Sequence, residues 1–163
     1  MRTVFTIRQT KPGEEVPVCN LVARSFNEFI APEFSEEGIE EFFKYANPRE
    51  FKKRSESGYF SMIAESESTI VGVIEINNSR HISMLFVEKD HHKKGIAKNL
   101  IKNSFEELRA EKKQIDAITV NSSRYAVPFY EKLGFLQYEE EKTIYGVIHI
   151  PMMVKYSDLG EKI

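Results

Sequence analysis

Apolar residues recur along the chain in two rhythms, and the switches between them mark out its elements. Residues 4–8 alternate as a strand does, until Lys11-Pro12-Gly13 turns the chain. From Glu14 the apolar positions Val18, Leu21, Val22, Phe26 and Phe29 follow helical spacing and predict a first helix to about Ile30. Ala31-Pro32 ends it, because the residue before a proline is pushed out of the helical region. Ser35 is placed to cap a second helix carrying Ile39, Phe42 and Phe43, and a polar helical stretch covers residues 49–56. Strands at 59–65, 69–76 and 81–87 then follow in succession across short polar turns. A long helix over 94–111 puts Ile96, Leu100, Ile101, Phe105 and Leu108 on one face. A strand at 116–120, a short helix at 126–133 stopped by Gly134, and a hairpin of 135–143 with 147–155 turning at Tyr145-Gly146 complete the chain.

Adjacent strands without a helix between them predict antiparallel pairing, whereas the strand-helix-strand step from Met84 to Val120 predicts a parallel neighbour. The expected fold class is α/β (α+β), a central mixed but mostly antiparallel sheet of about seven strands flanked by about four helices. At 163 residues, 41% of them hydrophobic, the chain suits a single domain spanning 1–163. A net charge of −2 offers no basic field for nucleic acid. No apolar run approaches the ~20 residues of a membrane helix, and the start MRTVFTIRQT lacks the apolar stretch of a signal peptide. The lone Cys19, on the apolar face of the first helix, has no disulfide or zinc partner of its kind and reads as an inert core thiol. The expectation is a soluble cytoplasmic protein, monomer or homodimer, with no nucleic-acid or membrane partner.

The segment MLFVEKDHHKKGIAKNLI carries the most chemistry. A strand ends at Val87 and a helix begins near Gly95, so a first helical turn presents unpaired N–H groups and the positive end of its dipole. That arrangement attracts an anion such as phosphate. Gly95 and Ala97 let a ligand approach the backbone, and Lys93, Lys94 and Lys98 add positive charge; a plain, solvated basic helix start is the bland alternative. His92-Lys93-Lys94-Gly95-Ile96-Ala97 resembles the Q/R-x-x-G-x-G/A signature of the GNAT-type N-acetyltransferases, with His92 in place of Gln or Arg. The resemblance implies that this turn holds the pyrophosphate of acetyl-coenzyme A, and that the coenzyme-binding set is Leu85, Phe86, Val87, His92, Lys93, Lys94, Gly95, Ile96, Ala97 and Lys98.

Downstream, the run from Asn121 through Ala126, Phe129, Tyr130 and Gly134 to Phe135 resembles the same family's N-x-x-A-x-x-F-Y-x-x-x-G-F region, with an extra residue or two in the turn before Ala126. Asn121 is thereby implied as a coenzyme contact near the pantetheine, and Tyr130 as a hydroxyl beside the thioester sulfur. A Tyr in this position also reads as an ordinary core aromatic. Together the two motifs imply an enzyme that moves an acetyl group from acetyl-coenzyme A to a primary amine of a small molecule or peptide by direct attack. The pantetheine arm would pair with strand 81–87, a backbone N–H near Phe86 or Val87 would face the oxyanion, and Tyr130 would protonate the leaving thiolate.

The attacking ammonium, with an ordinary pKa near ~10.4, needs a base. Glu75 is the first candidate, because its strand runs next to the implied coenzyme strand, and His81, at the start of the coenzyme strand, is the second; solvated strand-end residues are the alternative. Glu28, Glu33, Glu36, Glu37, Glu40 and Glu41 lie in a stretch without Lys or Arg, which either steers a cationic acceptor or forms a solvated helix face. His91-His92 is too cramped to converge on one metal ion, so no metal is expected. The competing reading is a non-catalytic acyl-coenzyme A binding or sensing domain of the same fold.

Overall fold

The computed structural model describes residues 4–159 apart from residue 112. Its strands are β1 (Thr6–Gln9), β2 (Phe60–Ser66), β3 (Thr69–Ile76), β4 (His81–Val87), β5 (Ala117–Ser122), β6 (Leu136–Gln137), β7 (Lys142–Ile144) and β8 (Val147–Lys155). Its helices are α1 (Glu15–Phe29), α2 (Glu36–Tyr45), α3 (Pro48–Glu56), α4 (Ile96–Ala110), α5 (Val127–Lys132) and α6 (Tyr156–Leu159). The strands form one mixed sheet in the order β1-β2-β3-β4-β5-β8-β6, with β7 paired to β8. Among the described residues only β4 and β5 run parallel, as their helical crossover requires.

Local chemistry explains the helix starts. Ser35 caps α2 by accepting from the Gly38 N–H at 3.2 Å, and Asn47 caps α3 by accepting from the Glu50 N–H at 3.1 Å. Pro48 follows at the first helical position, where its missing N–H costs nothing. One face of the sheet is covered by α4, whose Ile96, Leu100, Ile101, Phe105 and Leu108 are all buried. The other face is covered by α1 and α3 through Val18, Leu21, Val22 and Phe51.

The expected strand 135–143 is instead two short strands, β6 and β7. Three consecutive glutamates, Glu139 to Glu141, lie between them, all exposed, and like charges in a row resist close pairing with a neighbour. The hairpin turn itself is as expected: Tyr145 and Gly146 both have positive φ, +49° and +78°, matching a two-residue primed turn. This turn packs on the start of α2 so tightly that a Cβ on Gly38 would lie 2.0 Å from the Gly146 carbonyl oxygen.

One irregularity shapes the site. Ile76 pairs with Ile82 but Glu75 pairs with Met84, so Ser83 is an extra residue on β4. The bulge turns Met84 and Phe86 toward α1, while Ile82 before it faces α4. β5 pairs with β4 only at His81 and Ile82, and beyond the bulge the two strands part.

Candidate active site

The gap left by the parting strands opens into two clefts, one on each side of the end of β4. The first, about 580 Å³, runs between the β4–α4 junction and α5. Leu85, Phe86, Val87, His92, Lys93, Gly95, Ile96, Ala97 and Lys98, all expected at a coenzyme, line it; Lys94 does not, its side chain being turned to solvent. Asn121 lies instead in the second cleft, because alternation along β5 sends it to the α2 side.

Gly95 adopts φ +80° and forms the cap of α4, a left-handed conformation that only glycine takes without strain. Among the described residues no side chain caps this helix, and no acidic residue stands in its first turn, so its leading N–H groups face the cleft unengaged by those side chains. Lys93, Lys98 and Lys132 line the cleft, and no carboxylate does among the described residues. Lys132, absent from the sequence expectation, stands two residues beyond Tyr130 on α5.

His92 holds the turn in place. Its Nε2 lies 2.8 Å from the Val87 carbonyl oxygen, so Nε2 carries the proton and donates. Its ring lies 5.0 Å from that of Phe29, which in turn stacks on Tyr125 at 4.9 Å. The Ser25 hydroxyl donates to the same carbonyl at 3.3 Å, tying the end of β4 to α1.

Hydrogen bonding along β4 settles which backbone groups face the gap. The Glu88 N–H donates to the Val71 carbonyl at 2.8 Å. Antiparallel alternation then directs the N–H groups of Phe86 and Met84 into the β3 ladder and those of Val87 and Leu85 away from it. Of the two positions expected to offer a free N–H, Val87 does so and Phe86 does not.

The second cleft, about 450 Å³, lies between α2, the start of β4 and the ends of β5 and β8. It shares Leu85, Phe86, Ala126, Ile30 and Tyr130 with the first, so the two clefts meet at these residues. Tyr130 is only 4% exposed, and burial pushes its phenol above the ordinary tyrosine range. Its ring packs edge-on to Phe129 and Phe135 at 5.1 and 5.2 Å, at the place where the two clefts join.

Two imidazoles line the second cleft. His81 was the second candidate for a base, and its Nδ1 lies 2.8 Å from the Thr119 hydroxyl. His149, not foreseen, shares its face because Asn121 registers with Pro151, two residues along β8. Burial lowers the pKa of both below the usual histidine value, and for His81 the neighbouring His149 lowers it further.

Glu75, the first candidate, requires correction. It is 1% exposed and lines neither cleft. Its two carboxylate oxygens accept from Arg54 Nε at 3.1 and 3.0 Å, and one also accepts from the Tyr45 hydroxyl at 3.0 Å. Burial pushes its carboxyl above the usual range while Arg54 pulls it back. Arg54 is itself fixed: Nη1 donates to the Tyr45 carbonyl at 2.7 Å, and the guanidinium sits 3.6 Å over the Tyr45 ring centroid. The strand was placed correctly by the sequence pattern, but the side chain faces α3, whose Arg54 could be paired with it only once the helix was docked.

Of the glutamates between Ser25 and Phe43, Glu41 alone lines the second cleft. Glu28 instead pairs with Lys89 at 2.7 Å. Cys19 is buried and its thiol is pushed up to about 11 by burial. Among the described residues no group of three or more His, Cys, Asp or Glu is placed to hold a metal ion, and no helix is long and apolar enough to cross a membrane.

Comparison with known proteins places this fold in a family. A sequence profile described as "Acetyltransferase (GNAT) domain" matches residues 30–156, and the chain belongs to that family. An uncharacterized N-acetyltransferase of Escherichia coli (strain K12), YafP, is 25% identical over 136 residues, which is 83% of this chain and 84% of that protein. Among solved structures, a GCN5-related N-acetyltransferase from Rhodopseudomonas palustris superposes with a TM-score of 0.79 at 22% identity, covering 95% of this chain and 98% of that one. The PaiA N-acetyltransferase of Thermoplasma acidophilum, solved in complex with coenzyme A, does so with a TM-score of 0.75 at 20% identity over 94% and 99%.

Proposed function

We propose that the protein transfers an acetyl group from acetyl-coenzyme A to a primary amine by direct attack. The observation that carries this reading is the meeting of two clefts of unlike charge at Tyr130, Leu85 and Phe86. Among the described residues, the first has three lysines and an uncapped helix start, suited to a polyanionic coenzyme, and the second has Glu41 and no Lys or Arg, suited to a cationic acceptor.

In this reading the N–H groups at Gly95 to Lys98 hold the pyrophosphate. The pantetheine arm lies along the unpaired edge of β4 as an added strand. The amine nitrogen attacks the thioester carbonyl, the Val87 N–H donates to the oxyanion, and the carbon–sulfur bond breaks as the carbonyl re-forms. The acceptor ammonium gives one proton to a neutral imidazole, His81 or His149, before it attacks; Tyr130 gives its proton to the departing thiolate, and the second nitrogen proton, shed as the amide forms, restores the Tyr130 phenol directly or through water. Coenzyme A and an N-acetylated amine leave.

Titration of the protein with acetyl-coenzyme A, followed by thiol release across a panel of amines, tests the proposal. Tight coenzyme binding with amine-dependent release supports it. Binding without release by any amine returns the sensing-domain reading, and no binding removes both.

A further inference from the structure

Resting on the acyl-transfer reading above, we infer the acceptor's class: a primary amine that carries one positive charge on an aromatic or bulky apolar body. Polyamines, aminoglycosides and amino acids are disfavoured.

Aromatic rings form the walls of the second cleft. Phe34, Phe42, Tyr45, Tyr59 and Phe86 line it, each partly exposed. Phe42 is held rigid, stacked at 3.8 Å and 4° on the fully buried Phe26, with Phe86 edge-on at 6.1 Å. Such fixed faces reward an aryl or alkyl body by burying apolar surface without reordering the protein.

Charges in the cleft admit one cation and no anion. Among the described residues Glu41 is its only charged carboxylate or ammonium side chain, already shared with Lys44 at 3.2 Å. The Glu75 charge behind Tyr45 is met by Arg54. Both histidines are held toward their neutral forms by burial. An acceptor carboxylate or phosphate would therefore be desolvated without a partner, and a second or third ammonium would find no second carboxylate.

Three of the polar side chains lining the cleft, those of Asn77, Ser122 and Ser123, are already engaged within the protein. The Asn77 side-chain oxygen accepts from the Ser79 and His81 N–H groups at 2.8 and 3.1 Å. The Ser122 hydroxyl donates to the Ser123 carbonyl at 2.7 Å, and the Ser123 hydroxyl accepts from the Ala126 N–H at 3.2 Å. A polyhydroxylated acceptor would have Tyr59, Asn121 and His149 as partners and would bury its remaining hydroxyls against aromatic rings.

Thiol release measured with 2-phenylethylamine, spermidine, kanamycin and phenylalanine separates these classes, because phenylalanine is the first amine with a carboxylate added. The expected kcat/KM for 2-phenylethylamine exceeds that for phenylalanine by at least 10²-fold and those for spermidine and kanamycin by at least 10-fold. Phe42→Leu and, independently, Phe34→Leu should raise the 2-phenylethylamine KM several-fold and leave the coenzyme Kd unchanged. Equal or higher kcat/KM with spermidine, kanamycin or phenylalanine overturns the inference while the acyl-transfer reading stands. If no amine releases thiol, that reading falls, and calorimetry of the same amines on the coenzyme complex still decides the inference by their order of affinity.

Discussion

Glu75 tests whether the buried charge is structural or chemical. Its carboxylate is paired with Arg54 at 3.0 Å, both side chains being almost wholly removed from water, at 1% and 11% exposure. At an effective dielectric of about 20, unit charges about 4 Å apart attract by about 4 kcal/mol. Glu75→Gln keeps the shape and removes the charge, leaving the guanidinium of Arg54 buried beside a neutral amide. Breaking a buried pair in this way costs about 3–5 kcal/mol, which for a domain of this size lowers Tm by roughly 6–20 °C. Arg54→Met should cost a similar amount at neutral pH. Because burial raises the folded pKa of Glu75, the stability it contributes in that variant is fully present below the unfolded value of about 4.3 and is lost as pH rises through the folded one. The Arg54→Met defect is therefore smallest in mild acid. Glu75→Gln/Arg54→Met should lose less than the sum of the two single changes, the shortfall being the coupling of the pair. The assay is chemical denaturation of all four proteins, with turnover measured well below each Tm. Turnover of Glu75→Gln within about threefold of native is expected, since the side chain lines neither cleft. A loss of 10²-fold with native stability would refute this reasoning and restore Glu75 as the base.

Gly95→Leu should fold, since a Cβ there meets only the Asn99 amide at 3.4 Å, at a strain of about 1–2 kcal/mol from φ +80°. Calorimetry should nevertheless find coenzyme affinity reduced by at least 10²-fold; unchanged affinity would mean that no pyrophosphate sits at this turn. Gly38→Ala places a methyl 2.0 Å from the Gly146 carbonyl oxygen and must part α2 from the hairpin. It should lose about 1–3 kcal/mol in denaturation and raise the acceptor KM more than the coenzyme KM, whereas native stability would contradict the packing. If His81 accepts the amine proton, its lowered pKa keeps it ready at neutral pH, so kcat/KM should fall only as pH drops below about 6.5 and the acid limb should vanish in His81→Gln. A limb that persists in His81→Gln and vanishes in His149→Gln assigns the base to His149 instead.

Much of this molecule was legible along the chain because its signals are local. Apolar spacing located α1 and α4, and Ser35 marked the start of α2 at its observed cap. Glycine at 95, flanked by lysines after an apolar strand, marked the turn because left-handed backbone and anion chemistry both depend on near neighbours. What escaped depends on register between distant elements. His149 joins His81 through β4, β5 and β8, and Glu75 turns from the clefts toward a helix some twenty residues earlier, through Arg54. The β4 bulge at Ser83, which decides the face of every later residue on that strand, leaves no mark in the alternation of HISMLFV. Tyr45 could have been found, since it stands three residues after Phe42 on the same face of α2.

If acetyl transfer occurs where the clefts meet, the Tyr130 hydroxyl stands at the reacting thioester, and Tyr130→Phe is the sharpest probe of it. The change removes one hydroxyl and keeps the ring that packs on Phe129 and Phe135. Steady-state turnover with the best acceptor, paired with calorimetric coenzyme binding, is the measurement. General acid catalysis is worth about 10²–10⁴-fold, and because a thiolate can depart unprotonated, a fall near the lower end is expected with native coenzyme affinity. Native turnover in Tyr130→Phe, with native affinity, would contradict the account.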